Sequence, residues 1–323
     1  MDDRLALTLV TGFLGSGKTT LIRRFVETEE GGDTGIIVNE FGEEGVDHHL
    51  LVHAAEQVEL LSGGCLCCAR RNDVAEAMYR LVQMSRTGKA FSRAILETSG
   101  LADPAPIVAT LNRDPWLRAH VRLASIVAVV DAVSILRTLE TESEAVRQIS
   151  IADTVVIAKS DMRNACETAD IERRLRSISP DLRILDAQHA GFSLSDVLGG
   201  HGTPALIQGE GEAAPLPSAH SGEVSSFTLK IADRLDWPGF TIWLSALLHA
   251  HGDKILRVKG LLKTSSSQTP LAIHGVQHVM HPPTHLPEGN EDRQSFLVFI
   301  TKAVEQEAIV RSLETFMRCK VSL

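Results

Sequence analysis

The residues with the clearest chemical purpose stand close to the start of the chain. Gly12, Gly17, Lys18 and Thr19 satisfy the pattern Gly-x4-Gly-Lys-Ser/Thr within TGFLGSGKTT, residues 11–20. A phosphate chain is wrapped by bare backbone N–H groups, so Cβ atoms must be missing where such a loop turns tightly. A helix opening near Lys18 adds its own N-terminal N–H groups and dipole. Lys18 can reach the β- and γ-phosphates of a nucleotide, and the Thr19 hydroxyl can hold Mg2+. The candidate phosphate-binding residues are therefore Gly12, Gly15, Ser16, Gly17, Lys18, Thr19 and Thr20, with Lys18 also a catalytic candidate.

Three further groups extend this chemistry. Glu97-Thr98-Ser99-Gly100 stands at an acidic strand end downstream of the loop. There the Glu97 carboxylate can hold Mg2+ directly or through water, and the Gly100 N–H can sense a γ-phosphate. Ala158-Lys159-Ser160-Asp161 resembles the Asn-Lys-x-Asp signature of guanine specificity, with Ala158 in place of the asparagine. The Asp161 carboxylate can accept two hydrogen bonds from the guanine N1–H and 2-amino group, a donor pair adenine lacks. The Lys159 stem can pack along the base. GTP is thus the expected nucleotide. The third group is Cys65-Leu66-Cys67-Cys68 behind Gly63-Gly64. Thiolates suit zinc, Cu(I) or another thiophilic ion. Cys65, Cys67 and Cys68 can supply two or three ligands, and Glu40, Glu43, His48 and His49 are candidates for the rest. A redox pair and buried apolar cysteines are the alternatives for these thiols. His274 and His278 would share one face of a single strand over 271–280, which reads as sheet surface rather than a ligand pair.

These residues need elements to hold them. Apolar runs at 5–10, 35–40, 58–61, 93–98, 123–131, 154–158 and 183–185 read as strands. Helical patterns lie between them: 18 to about 30, a stripe of Val74, Ala77, Met78, Leu81 and Val82 capped by Asn72 or Asp73, one opened by Asp103-Pro104, one with Val146 and Ile149 on a face, and 166–177. Alternation of this kind predicts an α/β fold with a mostly parallel sheet covered by helices on both faces. Residues 200–222 are rich in Gly, Pro, Ala and Ser without periodicity and read as a linker. Beyond it, strands at 223–231, 255–262, 271–280 and 295–300 with helices at 237–250 and 305–317 predict a smaller α+β domain. The expected organisation is 1–199, linker 200–222 and 223–323. The two tryptophans of the 237–250 helix are expected in its core.

Composition bounds what remains. A net charge of -9 argues against a general nucleic-acid binder, and no apolar run reaches the ~20 residues of a membrane span. The start, MDDRLALTLV, runs from acidic residues straight into a strand and does not read as a signal peptide. Five cysteines, three of them crowded together, do not form a disulfide framework. Reduced thiols in a cytoplasmic protein are expected.

Taken in order, GFLGSGKTT, NEFGEEGVD, GGCLCC, ETSGLADP, VVDA and QISIADTVVIAKSD resemble the CobW family of P-loop GTPases, relatives of HypB and UreG. WPGFTIWLSALL, LRVKGLL, GVQHVMHPP and RQSFLVFI resemble the CobW C-terminal domain. The resemblance covers nearly the whole chain. It implies a slow GTPase that uses GTP and Mg2+ to deliver zinc or cobalt to a client metalloprotein. It further implies that residues 39–47 and 97–100 are the two nucleotide-sensing segments, that Lys159 and Asp161 contact the base, and that Cys65, Cys67 and Cys68 hold the metal. Gly63 stands where the family commonly has Asn, and Phe296 where it often has Arg. A GTP-dependent binding switch or metalloenzyme activator with a structural or redox cysteine site is the alternative. A P-loop kinase would need an acceptor pocket that the sequence does not display.

Overall fold

The computed structural model describes residues 3–28, 31–38, 58–60, 71–86, 91–199, 224–286 and 294–322. They fall into two compact units. The first takes residues up to Arg174 together with 182–199, and the second takes Leu175–Asp181 with 224–322.

The first unit is built on a seven-stranded sheet. Its strands are β1 (Leu5–Thr11), β2 (Thr34–Val38), β3 (Val58–Leu60), β4 (Arg93–Glu97), β5 (Val121–Asp131), β6 (Thr154–Ala158) and β7 (Arg183–Asp186). They lie in the order β3-β2-β4-β1-β5-β6-β7, and every pairing is parallel. Parallel strands need crossovers, and these are supplied by helices α1 (Lys18–Val26), α2 (Arg71–Arg86), α3 (Ala105–Arg113), α4 (Pro115–His120), α5 (Ile135–Thr141), α6 (Ser143–Ile151), α7 (Ala165–Ile178) and α8 (Leu194–Leu198). All seven residues of β1 are buried, as a central strand covered on both faces requires. Val10, Leu21, Ile22, Phe25, Ile36, Ile95, Val127, Val156, Val197 and Leu198 form one core cluster. The expected stripe Val74, Ala77, Met78, Leu81 and Val82 is buried as well.

Several boundaries differ from the sequence-based expectation for local reasons. Helix α1 stops at Val26 rather than near residue 30, because the Thr28 hydroxyl donates to the Phe25 carbonyl and Gly31 N–H closes onto Thr28. Helix α2 starts at Arg71, so Asn72 and Asp73 fall inside its first turn rather than at the cap. The Asp103 carboxylate accepts from the Ala105 N–H and so opens α3 from one residue before Pro104. Asp114 caps α4 through Trp116 and Leu117 N–H and also accepts from the Tyr79 hydroxyl. The Tyr79 bond, with the Leu117 N–H next, holds the Asp114 carboxyl below the usual carboxylate range. What stability it lends is present above the unfolded-state pKa and lost as pH falls through the lowered one.

The second unit is antiparallel. Strands β8 (Val224–Ile231), β9 (Ile255–Leu262), β10 (Leu271–Val276), β11 (Val279–Met280), β13 (Ser295–Lys302) and β14 (Val321–Ser322) follow the order β11-β10-β9-β13-β8-β14, with β12 (Thr284–His285) paired to β10. Helices α9 (Trp237–His251) and α10 (Gln306–Met317) cover one face, with Phe227, Leu229, Phe240, Trp243, Leu297, Phe299 and Leu313 in the core. Trp243 is buried and donates to Ser312 Oγ, while Trp237 is partly buried against the same cluster. The strand expected over 271–280 is in fact two strands. Gln277 takes a left-handed conformation at φ 50, and Val276 pairs with Val279 across the turn. His278 therefore sits in the turn, bonded to the Leu248 carbonyl and to Asp253, rather than beside His274. His274 instead stacks on His281, ring centroids 4.7 Å apart.

The linker expected at 200–222 lies outside the described residues. Among the described residues, no helix is long and apolar enough to cross a membrane.

Phe25 is fully buried where α1 meets the sheet. Phe25→Ala should lower unfolding free energy by about 3–5 kcal/mol in urea titration, the cost of an aromatic-sized cavity. An unchanged midpoint would contradict this packing.

Candidate nucleotide and metal site

The phosphate loop leaves the C-terminal end of β1, the sheet edge where ligands gather in open parallel folds. Gly12, Gly15 and Gly17 all have positive φ, at 140°, 71° and 101°. At Gly12 the reason is steric as well, since a Cβ there would stand 2.2 Å from the Val129 carbonyl oxygen. Gly17 precedes the nine-residue helix α1, whose first residue is Lys18. Lys18 is buried, and its Nζ donates to the Gly12 carbonyl at 2.9 Å and the Phe13 carbonyl at 3.3 Å. The ammonium thus lies over the loop it belongs to. Backbone N–H groups, a helix N-terminus and a lysine in this arrangement can bind a polyphosphate.

The strand end beside it completes the pattern. Glu97 closes β4, paired in parallel with Val10 of β1. The Thr19 hydroxyl donates to Glu97 Oε1 at 2.7 Å, and Glu97 is 1% exposed. Two hard oxygen donors, a hydroxyl and a carboxylate, converge from opposite ends of a 78-residue separation. Such a pair fits Mg2+, which takes few protein oxygens and keeps waters and phosphates for the rest. The chain then turns. Thr98 N–H donates to the Val10 carbonyl and the Thr98 hydroxyl to Thr11 Oγ1. Gly100 follows, packed so closely on the phosphate loop that a Cβ would stand 2.7 Å from Leu14 N. Thr98 and Gly100 are therefore held against the loop by contacts that do not depend on a ligand.

The third loop follows β6. Lys159 adopts a left-handed conformation at φ 58. Its Nζ donates to Asp131 Oδ2 at 2.7 Å and to the Gly15 carbonyl at 3.0 Å, so the side chain spans from the β6 end to the phosphate loop. Asp161 lies exposed in the three-residue 3-10 turn Ser160–Met162. Ser160 is buried, and its hydroxyl donates to Asp186 Oδ1 at the end of β7, which also accepts from Gln188 N–H. Asp131 and Asp186 thus fix the turn from two sides. The sequence reading did not single out either as a site residue. The available signal was position: both are acids at the C-terminal ends of parallel strands.

The structure brings together Gly12, Gly15, Ser16, Gly17, Lys18, Thr19, Thr20, Glu97, Gly100 and Lys159 along one edge, with Asp161 on the same loop as Lys159. Cys65, Cys67, Cys68 and the segment 39–47, with Glu40, Glu43, His48 and His49, lie outside the described residues. The strands that lead into them are described. Val38 pairs with Glu97 and also with Leu60, so β2 and β3 end beside β4 in register. Leu60 is thus two strands from Glu97, about 10 Å at the usual ~4.8 Å strand spacing. Cys65 follows Leu60 by five residues, a reach of at most about 18 Å. Among the described residues no group of three or more His, Cys, Asp or Glu could hold a metal ion. Of the described cysteines, Cys166 is exposed, and burial pushes the Cys319 thiol up.

Comparison with known proteins follows the same outline. The family model for the CobW/HypB/UreG nucleotide-binding domain matches residues 6–186. That for the cobalamin synthesis protein cobW C-terminal domain matches residues 224–317. The chain belongs to the CobW/HypB/UreG family. It is 30% identical to the zinc chaperone YjiA of Escherichia coli K12 over 311 residues, spanning 94% of this chain and 96% of that protein. It is 29% identical to the zinc chaperone CobW of Pseudomonas aeruginosa, spanning 97% of this chain and 91% of that one. The Zn(II)-bound YjiA GTPase from E. coli has the same fold over 97% of this chain and 99% of that chain, with a TM-score of 0.71 at 27% identity. The parallel sheet with a P-loop and the antiparallel C-terminal unit are thus the CobW-family architecture, as the motifs implied.

In this CobW-family protein Lys18→Ala removes the buried cation from the phosphate loop. Nucleoside triphosphate affinity should fall by about 2–5 kcal/mol by isothermal titration calorimetry. Unchanged affinity would contradict the phosphate role.

Proposed function

We propose that this protein binds GTP with Mg2+, hydrolyses it slowly, and uses the cycle to bind and hand on a thiophilic divalent ion, zinc or cobalt, to a client metalloprotein. The observation that carries the reading is the Thr19–Glu97 contact at the end of β4, with β2 and β3 in register beside it. The cation-holding pair of a nucleotide site and the strand that leads to the cysteines share one sheet edge. Family membership supports the GTPase half. The names of the relatives, zinc chaperones YjiA and CobW, support the metal half. A fission-yeast relative, the zinc-regulated GTPase metalloprotein activator 1, is 30% identical over 61% of this chain and is matched over 49% of its own length. Its name favours activation of a metalloprotein as the form delivery takes.

The roles follow from chemistry. Gly12, Gly15, Ser16, Gly17 and Thr20 line the phosphates with the α1 N-terminus. Lys18 neutralises the developing charge between β- and γ-phosphates. Thr19 and Glu97 would hold Mg2+, which supplies charge neutralisation at the phosphate oxygens. Lys159 lies against the phosphate loop and Asp161 accepts from the guanine edge. Ala158 stands where the guanine signature has Asn, so base selection falls to Asp161 and to the loop fixed by Asp186. Cys65, Cys67 and Cys68 bind the cargo ion as thiolates in this reading, and Glu40, Glu43, His48 and His49 are the candidates for a further donor. Residues 1–199 are the nucleotide domain in this reading, 200–222 the linker and 223–323 the C-terminal domain.

Two measurements test the reading. GTP should bind more tightly than ATP, and Asp161→Asn should narrow the gap by about 1–3 kcal/mol; equal affinities in the unaltered protein would contradict the base assignment. The reduced protein should take up one tightly bound Zn2+, with affinity rising through the thiol pH range because the ligands must lose protons. Cys67→Ala should abolish that site while GTP binding persists. Retention of the tight site in this variant would contradict the ligand set.

A further inference from the structure

Helix α6 carries one buried polar side chain that the nucleotide chemistry above does not use. Gln148 is 1% exposed. Its Nε2 donates to the Gly100 carbonyl at 3.0 Å and to the Ala102 carbonyl at 3.1 Å. Only the amino end of the amide can satisfy two carbonyls, so the orientation of the group is fixed by its partners. The adjacent residue reinforces the contact: Arg147 Nη1 lies 3.9 Å from Asp103 Oδ2, on the next stretch of the same loop. Helix α6 itself is packed into the sheet through buried Ala145, Val146, Ile149 and Ile151. The loop after Glu97 is therefore gripped by a rigid helix 46–48 residues away in sequence.

The grip falls at a telling place. The turn from Ser99 to Ala102 is closed by the Ala102 N–H on the Ser99 carbonyl. Gly100 lies inside that turn and abuts Leu14 of the phosphate loop. Gln148 thus anchors residue Gly100 beside the phosphate loop through its carbonyl, and the Gly100 N–H, on the preceding peptide unit, is positioned with it. A neutral amide suits the task. It holds two carbonyls without the desolvation cost of a buried charge, and it has no reason to respond to the phosphates themselves.

We infer that Gln148 is a positioning residue for GTP hydrolysis: it places the Gly100 N–H for the γ-phosphate and so sets turnover and triphosphate-over-diphosphate selectivity, while leaving GDP binding alone. This rests on the GTPase reading above. Gln148→Leu keeps side-chain bulk and leaves both carbonyls unpaired. Gln148→Glu opposes an ionised carboxylate to two carbonyl oxygens, and regains one donor only when protonated.

The experiment measures GTP turnover, and affinities for GDP and a non-hydrolysable GTP analogue, in the full-length protein and both variants. For Gln148→Leu, kcat should fall roughly 10- to 100-fold and the analogue-to-GDP affinity ratio should fall with it, as loss of two buried hydrogen bonds implies. GDP affinity should stay within about 2-fold, since no GDP contact is removed. For Gln148→Glu, turnover relative to the unaltered protein should rise as pH is lowered, because protonation restores a donor. Unchanged kcat and affinity ratio in Gln148→Leu would overturn the inference. So would an equal loss of GDP and analogue affinity, which marks a merely structural role. If Gln148→Leu does not fold, the Gln148→Glu pH ratio decides, and a flat ratio overturns the inference. Absence of turnover in the unaltered protein would sink the GTPase reading instead; the analogue-to-GDP ratio would still test Gln148.

Discussion

The hydrogen bond between Thr19 and Glu97 is the constraint around which the nucleotide unit is arranged. It joins the first turn of α1 to the end of β4 across 78 residues at 2.7 Å. It can form only because β4 pairs with β1 in parallel, so that both strands deliver their C-terminal ends to one edge. A buried carboxylate is costly unless hydrogen-bonded or matched to a cation. Glu97, 1% exposed, is therefore a poor choice for filling space and a good one for a site that receives a cation. The same edge collects the other acids of the site. Asp131 ends β5 and holds Lys159, and Asp186 ends β7 and holds Ser160. Three of the strand ends, those of β4, β5 and β7, thus each contribute a carboxylate to this edge.

The glycines show how closely the loops approach one another. A side chain at Gly12 would meet a β5 carbonyl, and one at Gly100 would meet the phosphate-loop backbone. The loops are in direct contact before any ligand arrives. A γ-phosphate would then act on a preassembled cluster, and a small displacement at Gly100 is transmitted along packed elements rather than absorbed by slack. Strands β2 and β3 end in register beside Glu97 at the same edge.

Much of this was legible in the residue order. The buried parallel strands are short runs of Val, Ile, Leu and Ala, and the phosphate loop has a spacing that few other structures require. Helix α9 was legible because apolar residues recur along it, and the structure adds a cap at Asp236, which accepts from Gly239 N–H. What was not legible falls into two kinds. Some features depend on a single backbone conformation without a glycine to announce it. Gln277 at φ 50 breaks one expected strand into a hairpin and so separates His274 from His278. Others depend on contacts between residues far apart in sequence. Nothing near Asp131 says that it will meet Lys159 across 28 residues, or that Gln148 will meet Gly100 across 48. Helix ends were misjudged where side chains compete for the backbone, as Thr28 does at the end of α1.

The central claim is that one sheet edge serves both nucleotide and cargo metal, so that occupancy of one changes affinity for the other. Linkage makes the effect reciprocal, with a typical coupling of about 1–3 kcal/mol, or roughly 5- to 150-fold. The most direct test is a competitive Zn2+ titration of the reduced protein with Mg2+ present, once with a non-hydrolysable GTP analogue and once with GDP. The account predicts tighter zinc binding with the analogue, by a factor in that range. Equal zinc affinity in the two nucleotide states would contradict it and leave the cysteines a structural or redox role.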